Sequence, residues 1–427
     1  RAAAEALAEP QPVPAPPSPP DQRATPGEWV RANLFPSPAN GALTLALAAV
    51  ACWGLYRLGR WTFVTAEWTV VRVNLRLFMV GRFPADQLWR PWASAFVLAA
   101  VAGLAAGAAG RAATGDGPVD PRAAEAARAD RRPLSLARRF WPLILATVVV
   151  LSFTRTPLPA LASVALVAVL AGAVTVGRRL PAGARRWTTV LLVAGIVAAV
   201  QVVTWGPGGV GWDDWGGLFL TVTATVAGIA LAFPLGLVLA LGRRSSLPGI
   251  HVLATAYIEA FRAVPLVTLL FVGQYMIGFL FPTSVDPPSF LVRSVIAITV
   301  FEAAYIAEIV RGGLQAVPPG QVEAAQALGL STTGVLRLVV LPQALRAVIP
   351  AMVGQFISLF KDTSLLSIVG FFELMTVAEA AAIQDRFRGR GLQVVALAFV
   401  GLLYWAGCST MARESRRLER RLGVGER

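Results

Sequence analysis

The side chains able to do chemistry are few, and their scarcity excludes several functions at once. Lys361 is the only lysine, His251 the only histidine, and Cys52 and Cys408 the only cysteines. A P-loop requires Gly-Lys-Ser/Thr, whose lysine reaches the nucleotide phosphates. Lys361 follows Phe360, so the chain has no Walker A site and any ATP it uses must be hydrolysed on another polypeptide. A single histidine cannot supply the usual zinc-protease pair. Both cysteines fall inside apolar blocks, which supports neither a disulfide framework nor a cysteine metal site. No catalytic residue, no metal ligand and no cofactor bound by this chain is expected.

What remains is charge placed among apolar residues, which is costly and marks functional candidates. Glu302 and Glu308 are six residues apart, which on a helix puts them on different faces. Glu308 is expected near the end of its helix, paired with Arg311. Glu302 lies deeper, either holding helices together through a hydrogen bond or bordering a polar path. Lys361, Asp362, Thr363 and Ser364 interrupt an apolar stretch. They read as an internal ion pair or a broken helix, either lining a translocation path for a zwitterionic substrate or closing the outer end of a helix. Glu259 and Arg262 are neighbours on one helical face, suited to an interfacial salt bridge or a substrate contact. His251 reads as incidental.

The segment 311–342 is different in kind. Pro318 and Pro319 open a short helix, Glu323, Ala324, Ala325, Gln326, Ala327 and Leu328 propagate it, and Gly329 caps its C-terminus. Ser331, Thr332 and Thr333 can cap a second short helix leading to Leu341 and Pro342. Small alanines beside a glycine let another protein's surface approach closely.

The elements that must hold these residues are long apolar blocks. Of 427 residues, 56% are hydrophobic and only 15% charged, against about a quarter charged in soluble domains. A helix crosses the hydrocarbon core with about 20 apolar residues, and candidate spans fall at 41–58, 92–110, 140–153, 158–176, 187–205, 218–241, 264–281, 291–310, 344–370 and 392–411. The chain therefore reads as an all-α polytopic membrane protein with about ten transmembrane helices, eight being possible because the N-terminal blocks are short or mixed. Residues 1–40 contain ten prolines and no apolar signal-peptide core, so they read as a disordered Pro/Ala-rich tail. Residues 41–206 form an accessory transmembrane region, 216–411 the core, and 412–427 a basic cytoplasmic tail. The segment 61–91, with Arg72, Arg76, Arg82 and Arg90 among aromatics, could lie in the membrane interface. Pro234, Pro265 and Pro350 are candidate kinks.

The net charge of +14 is carried by arginines between apolar blocks, which is topology information rather than a nucleic-acid patch. Placing Arg128–Arg139, Arg178-Arg179, Arg185-Arg186, Arg243-Arg244 and the C-terminal tail inside puts both termini in the cytoplasm. The loop 311–342 then faces the cytoplasm as well. Two basic segments, 61–91 and 386–390, fall outside against the rule.

Here the pattern resembles a known family. Glu323-Ala324-Ala325, Gly329, Val339 and Leu341-Pro342 stand at the spacings of the coupling-loop signature of ATP-binding cassette (ABC) importer permeases, with Val339 where isoleucine is frequent. Glu259, Arg262 and Pro265, with Ala263 and Val264 in place of Gly and Thr, resemble a stretch of polar amino acid permeases, as do 304–315 and 359–365. The added N-terminal region resembles the larger permease of general L-amino acid importers (AapM/BztC type). The resemblance implies a type I (MetI-like) core whose Glu323, Ala324, Ala325, Gly329, Leu341 and Pro342 couple to a separate ATPase dimer holding ATP and magnesium. It also implies an extracytoplasmic amino-acid-binding protein, a second permease subunit (a heterodimer favoured over a homodimer), and an inner-membrane location. A secondary transporter or channel without an ATPase partner is the alternative; it should show inverted repeats, and none is found.

Overall fold

The structure, a computed structural model, describes residues 25–114, 133–181, 183, 187–205, 209–282 and 284–422. Residues 1–24, most of the 111–139 loop and Arg185-Arg186, all read above from sequence, lie outside the described residues. The described residues are helical and contain no strand. They divide into two compact units, 1–66 and 67–427.

The first unit holds α1 (Pro26–Leu34) and α2 (Pro38–Arg60). Helix begins earlier than the tail reading 1–40 implies, because Thr25 and Glu28 form a reciprocal capping box and Pro26 occupies the first turn. Helix α2 repeats the device with Ser37 as N-cap and Pro38 behind it. Its apolar side chains, such as Leu47, Val50 and Leu55, are exposed, as suits a helix solvated by lipid.

The second unit opens with α3 (Thr69–Val80), followed by α4 (Trp89–Thr114), α5 (Pro133–Ser152), α6 (Leu158–Arg179) and α7 (Thr188–Thr204). The core then runs through α8 (Gly217–Arg243), α9 (Pro248–Ala263), α10 (Leu266–Phe271) and α11 (Phe290–Gln315). Two short helices, α12 (Pro319–Ala327) and α13 (Thr332–Val335), precede α14 (Leu341–Asp362). Finally come α15 (Leu374–Ile383) and α16 (Gln393–Leu422). Among the described residues, seven helices are long and apolar enough to cross a membrane, or eight if the bent α9–α10 pair is one span. Two shorter apolar helices, Val190–Thr204 and Leu374–Ile383, stand beside them, in keeping with the expected eight to ten. The bend in that pair is 103°, and it falls at Val264-Pro265, where proline holds the preceding residue extended. Pro234 and Pro350, by contrast, lie inside continuous helices.

Close backbone approach organises both halves. Helices α4 and α6 meet where a Cβ on Gly107 would lie 2.3 Å from the carbonyl of Val174, a small-residue contact that lets membrane helices pack without a hydrophobic drive between them. Helices α8 and α11 meet in the same way at Gly236. The segment 61–91 does more than skirt the bundle: α3 buries Val70, Val71, Asn74 and Phe78 against α8, α15 and α16. Asn74 and Gln384 exchange side-chain amide hydrogen bonds. Arg390 pairs with Glu67 at 2.9 Å, so the two basic segments that defied the charge rule are linked by an ion pair. Helix α16 carries the basic tail as far as Leu422, and Arg139 bonds Glu414.

Candidate functional site

Helix α12 begins where Pro318 and Pro319 fix the first backbone angles and ends in a Schellman cap. The N–H of Gly329 donates to Gln326 O at 2.9 Å, and the N–H of Leu330 donates to Ala325 O at 3.3 Å. This wrap needs a left-handed residue, and Gly329 supplies it with φ +79°. Ser331 then accepts from Gly334 N–H and opens α13. A π turn, Leu336–Val340, joins it to α14, which starts at Leu341 and Pro342.

The two sides of α12 differ. Ala325 is buried, in one apolar cluster with Ala240 of α8, Ile258 of α9, Val310 of α11 and Ala344 of α14. Outward, Glu323, Ala324 and Ala327 are exposed, and Leu328 is 83% exposed.

Beside this loop lies a charged hub. Glu308 is bonded by Arg311 and accepts from Arg243 at 3.1 Å, with Arg262 at 4.0 Å. Arg243 also reaches Glu259 at 2.8 Å. Three arginines from α8, α9 and α11 therefore converge on one carboxylate. Glu308 pairs with Arg311 as the spacing implied. Glu259 and Arg262 instead turn to different partners, on α8 and α11. Arg244 donates to Leu314 O and His251 Nδ1 lies 2.6 Å from Arg243 O, so the end of α8 is pinned to the start of the loop. Sequence reasoning read Arg243 only as a topology marker. Its role as a bridge depends on α9 and α11 folding back onto α8, which no local pattern encodes.

The remaining candidates lie away from the loop. Glu302 is buried, and its Oε2 accepts from Gln355 Nε2 of α14 at 3.0 Å. Its Oε1 has no hydrogen-bond partner among the described residues. Lys361 and Asp362 end α14, make no ion pair with each other, and lead into a 3-10 turn over Thr363–Ser367. Thr363 is buried and its hydroxyl donates to Phe360 O, while Ser364 O accepts from the Ser367 hydroxyl. Lys361 thus closes a membrane helix, whereas a nucleotide-binding lysine stands at a Gly-rich turn opening one. Sequence reasoning also missed Glu373, fully buried, whose carboxylate accepts from the N–H groups of Met375 and Thr376 and from the Tyr404 hydroxyl.

Comparison with known proteins follows this geometry. The family model described as binding-protein-dependent transport system inner membrane component matches residues 232–424. The chain is 32% identical to the inner membrane amino-acid ABC transporter permease protein YhdY of Escherichia coli, covering 93% of each chain. It is 33% identical to the glutamate/glutamine/aspartate/asparagine transport system permease protein BztC of Rhodobacter capsulatus, covering 92% of this chain and 93% of that one. Among solved structures, one titled as a crystal structure of an amino acid ABC transporter with histidines matches with a TM-score of 0.42 and 30% identity, over 48% of this chain and 91% of that one.

Proposed function

Because the chain belongs to the family of binding-protein-dependent inner membrane components, and within it to the amino-acid ABC permeases, we propose that it forms half of an amino acid import path driven by a separate ATPase subunit. The observation that carries this reading is α12: a capped helix with an exposed small-residue face, whose other face is packed into the helices that must move. ATP, with magnesium, is held and hydrolysed on the partner. Closure of an ATPase dimer presses on Glu323, Ala324 and Leu328. Ala325 passes the displacement to α8, α9, α11 and α14 together, because a packed cluster shifts as a unit. The arginine distribution supports a cytoplasmic loop and cytoplasmic termini in an inner membrane. An extracytoplasmic binding protein delivers the amino acid, and a second, related permease completes the path as a heterodimer.

The test is uptake in cells or proteoliposomes containing this chain with an ATPase, a binding protein and a second permease. Amino acid uptake is expected to stop when the Walker lysine of the ATPase is replaced. Uptake that continues unchanged removes the reading.

Within the path we assign Glu302 and the segment Lys361, Asp362, Thr363 and Ser364 to contact with substrate. Glu302 supports this through its one unpartnered buried oxygen, since a buried acceptor without a donor is costly unless a ligand or water meets it. Glu302→Gln and Asp362→Asn are each expected to raise the KM for uptake by about ten-fold, the value of one charge-assisted hydrogen bond. An unchanged KM at equal membrane levels would leave both residues a structural role only.

A further inference from the structure

Three arginines take no part in the transport reading. Arg72 and Arg76 lie one helical turn apart on α3, and Arg155 follows α5. All three are exposed, and none makes an ion pair or a side-chain hydrogen bond with another described residue. Yet they line one cavity of about 1070 Å³, slightly beyond the upper end of small-molecule sites, about 1,000 Å³.

The rest of that cavity is mainly apolar, and the hydroxyls of Thr154, Ser163, Thr225 and Thr410 on its walls donate to backbone carbonyls three or four residues earlier in the chain. Leu218, Val222, Val226 and Ile229 of α8 form one wall, faced by Leu143 of α5 and Leu403 of α16. From Leu218 to Ile229 the wall is about 16 Å long at 1.5 Å per residue, close to half of a hydrocarbon core about 30 Å thick. The arginines belong to the Leu218 end, because a Cβ on Gly217 would lie 2.7 Å from the carbonyl oxygen of Leu77, the residue after Arg76. Phe153, two residues before Arg155, meets Trp68 just before α3 and Phe399 near the start of α16, each at 6.0 Å between ring centres. Arg244, beside the coupling loop, lies at the opposite end of α8. The shape is therefore a slot one leaflet deep, with three positive charges at its surface end and no acidic side chain in its lining to meet them or an ammonium group.

We infer that this slot is a binding site for one phospholipid with an anionic headgroup, its phosphate against Arg72, Arg76 and Arg155 and its acyl chains along α8. Charge complementarity selects this occupant. A protein helix in the slot would have to bring acidic residues to the three arginines, and α2, with Arg57, Arg60 and no Asp or Glu, offers none. Free phosphate would satisfy the arginines and leave the long apolar wall without purpose. The site also gives a reason for basic residues at the end of the bundle opposite the coupling loop, where the charge rule disfavours them. It rests on helix geometry and not on the direction or cargo of transport, so its failure leaves the transport reading standing.

The test is native mass spectrometry of the full chain, delipidated in detergent and titrated with phosphatidylglycerol, phosphatidylethanolamine or inorganic phosphate. One phosphatidylglycerol per chain is expected, bound in preference to phosphatidylethanolamine. The triple variant Arg72→Gln/Arg76→Gln/Arg155→Gln should weaken it about a hundred-fold, from the combined attraction of three arginines. Val222→Trp, which fills the slot and leaves every charge, should also weaken it. Arg386→Gln/Arg388→Gln, outside the slot, should not. Equal binding of the two lipids, equal binding by the triple variant and by Val222→Trp, competition by inorganic phosphate alone, or a second copy of the chain displacing the lipid would each overturn the assignment.

Discussion

Gly329→Val is expected to lower amino acid uptake sharply while the protein still reaches the membrane. The reason is conformational and not steric. A Cβ at Gly329 would meet nothing within 4 Å, but φ there is +79°, a region that β-branched residues enter only as outliers. The left-handed state costs an ordinary residue about 1–2 kcal/mol, and the substituted chain can avoid that cost by abandoning the wrap in which Gly329 and Leu330 donate to Gln326 and Ala325. Residue 325 then leaves the shared cluster, and the exposed face of α12 is presented at the wrong angle. Uptake should fall by at least about ten-fold while ATP hydrolysis by the assembled complex persists, since about 1.4 kcal/mol is a factor of ten. Gly329→Asn is the control, because asparagine tolerates the left-handed region, and it should retain most of the uptake. Loss in both variants to the same extent would mean that the position matters for something other than its backbone angle.

The second large effect is expected at Gly236 and concerns assembly rather than coupling. A Cβ there would lie 2.6 Å from Ile306 Cγ2 and 2.8 Å from the carbonyl oxygen of Ala303. A side-chain methyl can turn aside, but a helix backbone cannot, so α8 and α11 must separate. Overpacking of this kind costs about 1–3 kcal/mol for a small addition, and Gly236→Leu adds far more than a methyl group. The variant should fail to accumulate in the membrane, and Gly236→Ala should accumulate with a lowered melting temperature in detergent. Gly312, on α11, is the contrasting position: nothing lies within 4 Å of its Cβ site. Gly312→Ala should be neutral or slightly stabilising, by up to about 1 kcal/mol of helix propensity. A Gly236→Leu protein with normal yield and melting would show that the two helices are not in backbone contact.

The loop of α12 and α13 was legible because its signals are local. Proline at the start, glycine at the cap and Ser331 before α13 each act within one helical turn, so spacing alone places them. The pairing of Glu308 with Arg311 was legible for the same reason, being an i, i+3 contact. The turns of Arg262 toward Glu308 and of Glu259 toward Arg243 were not, since both depend on the 103° bend after α9 and on which helix it returns to. The hydrogen bond from Gln355 to Glu302 joins residues 53 apart, and the amide pair Asn74–Gln384 spans 310. No periodicity reports such partners.

By itself, then, the sequence determined the solvent and the class. Runs of about 20 apolar residues can only be helices in lipid, where every backbone group must be bonded within its own segment. A chain with one lysine after Phe360 cannot hold a Walker site. Tertiary structure alone decided how α3 enters the core, and which carboxylates are shared and which stand open. Those outcomes turn on contacts between segments far apart in the chain, where packing volume and charge pairing choose among arrangements that local sequence leaves equally available.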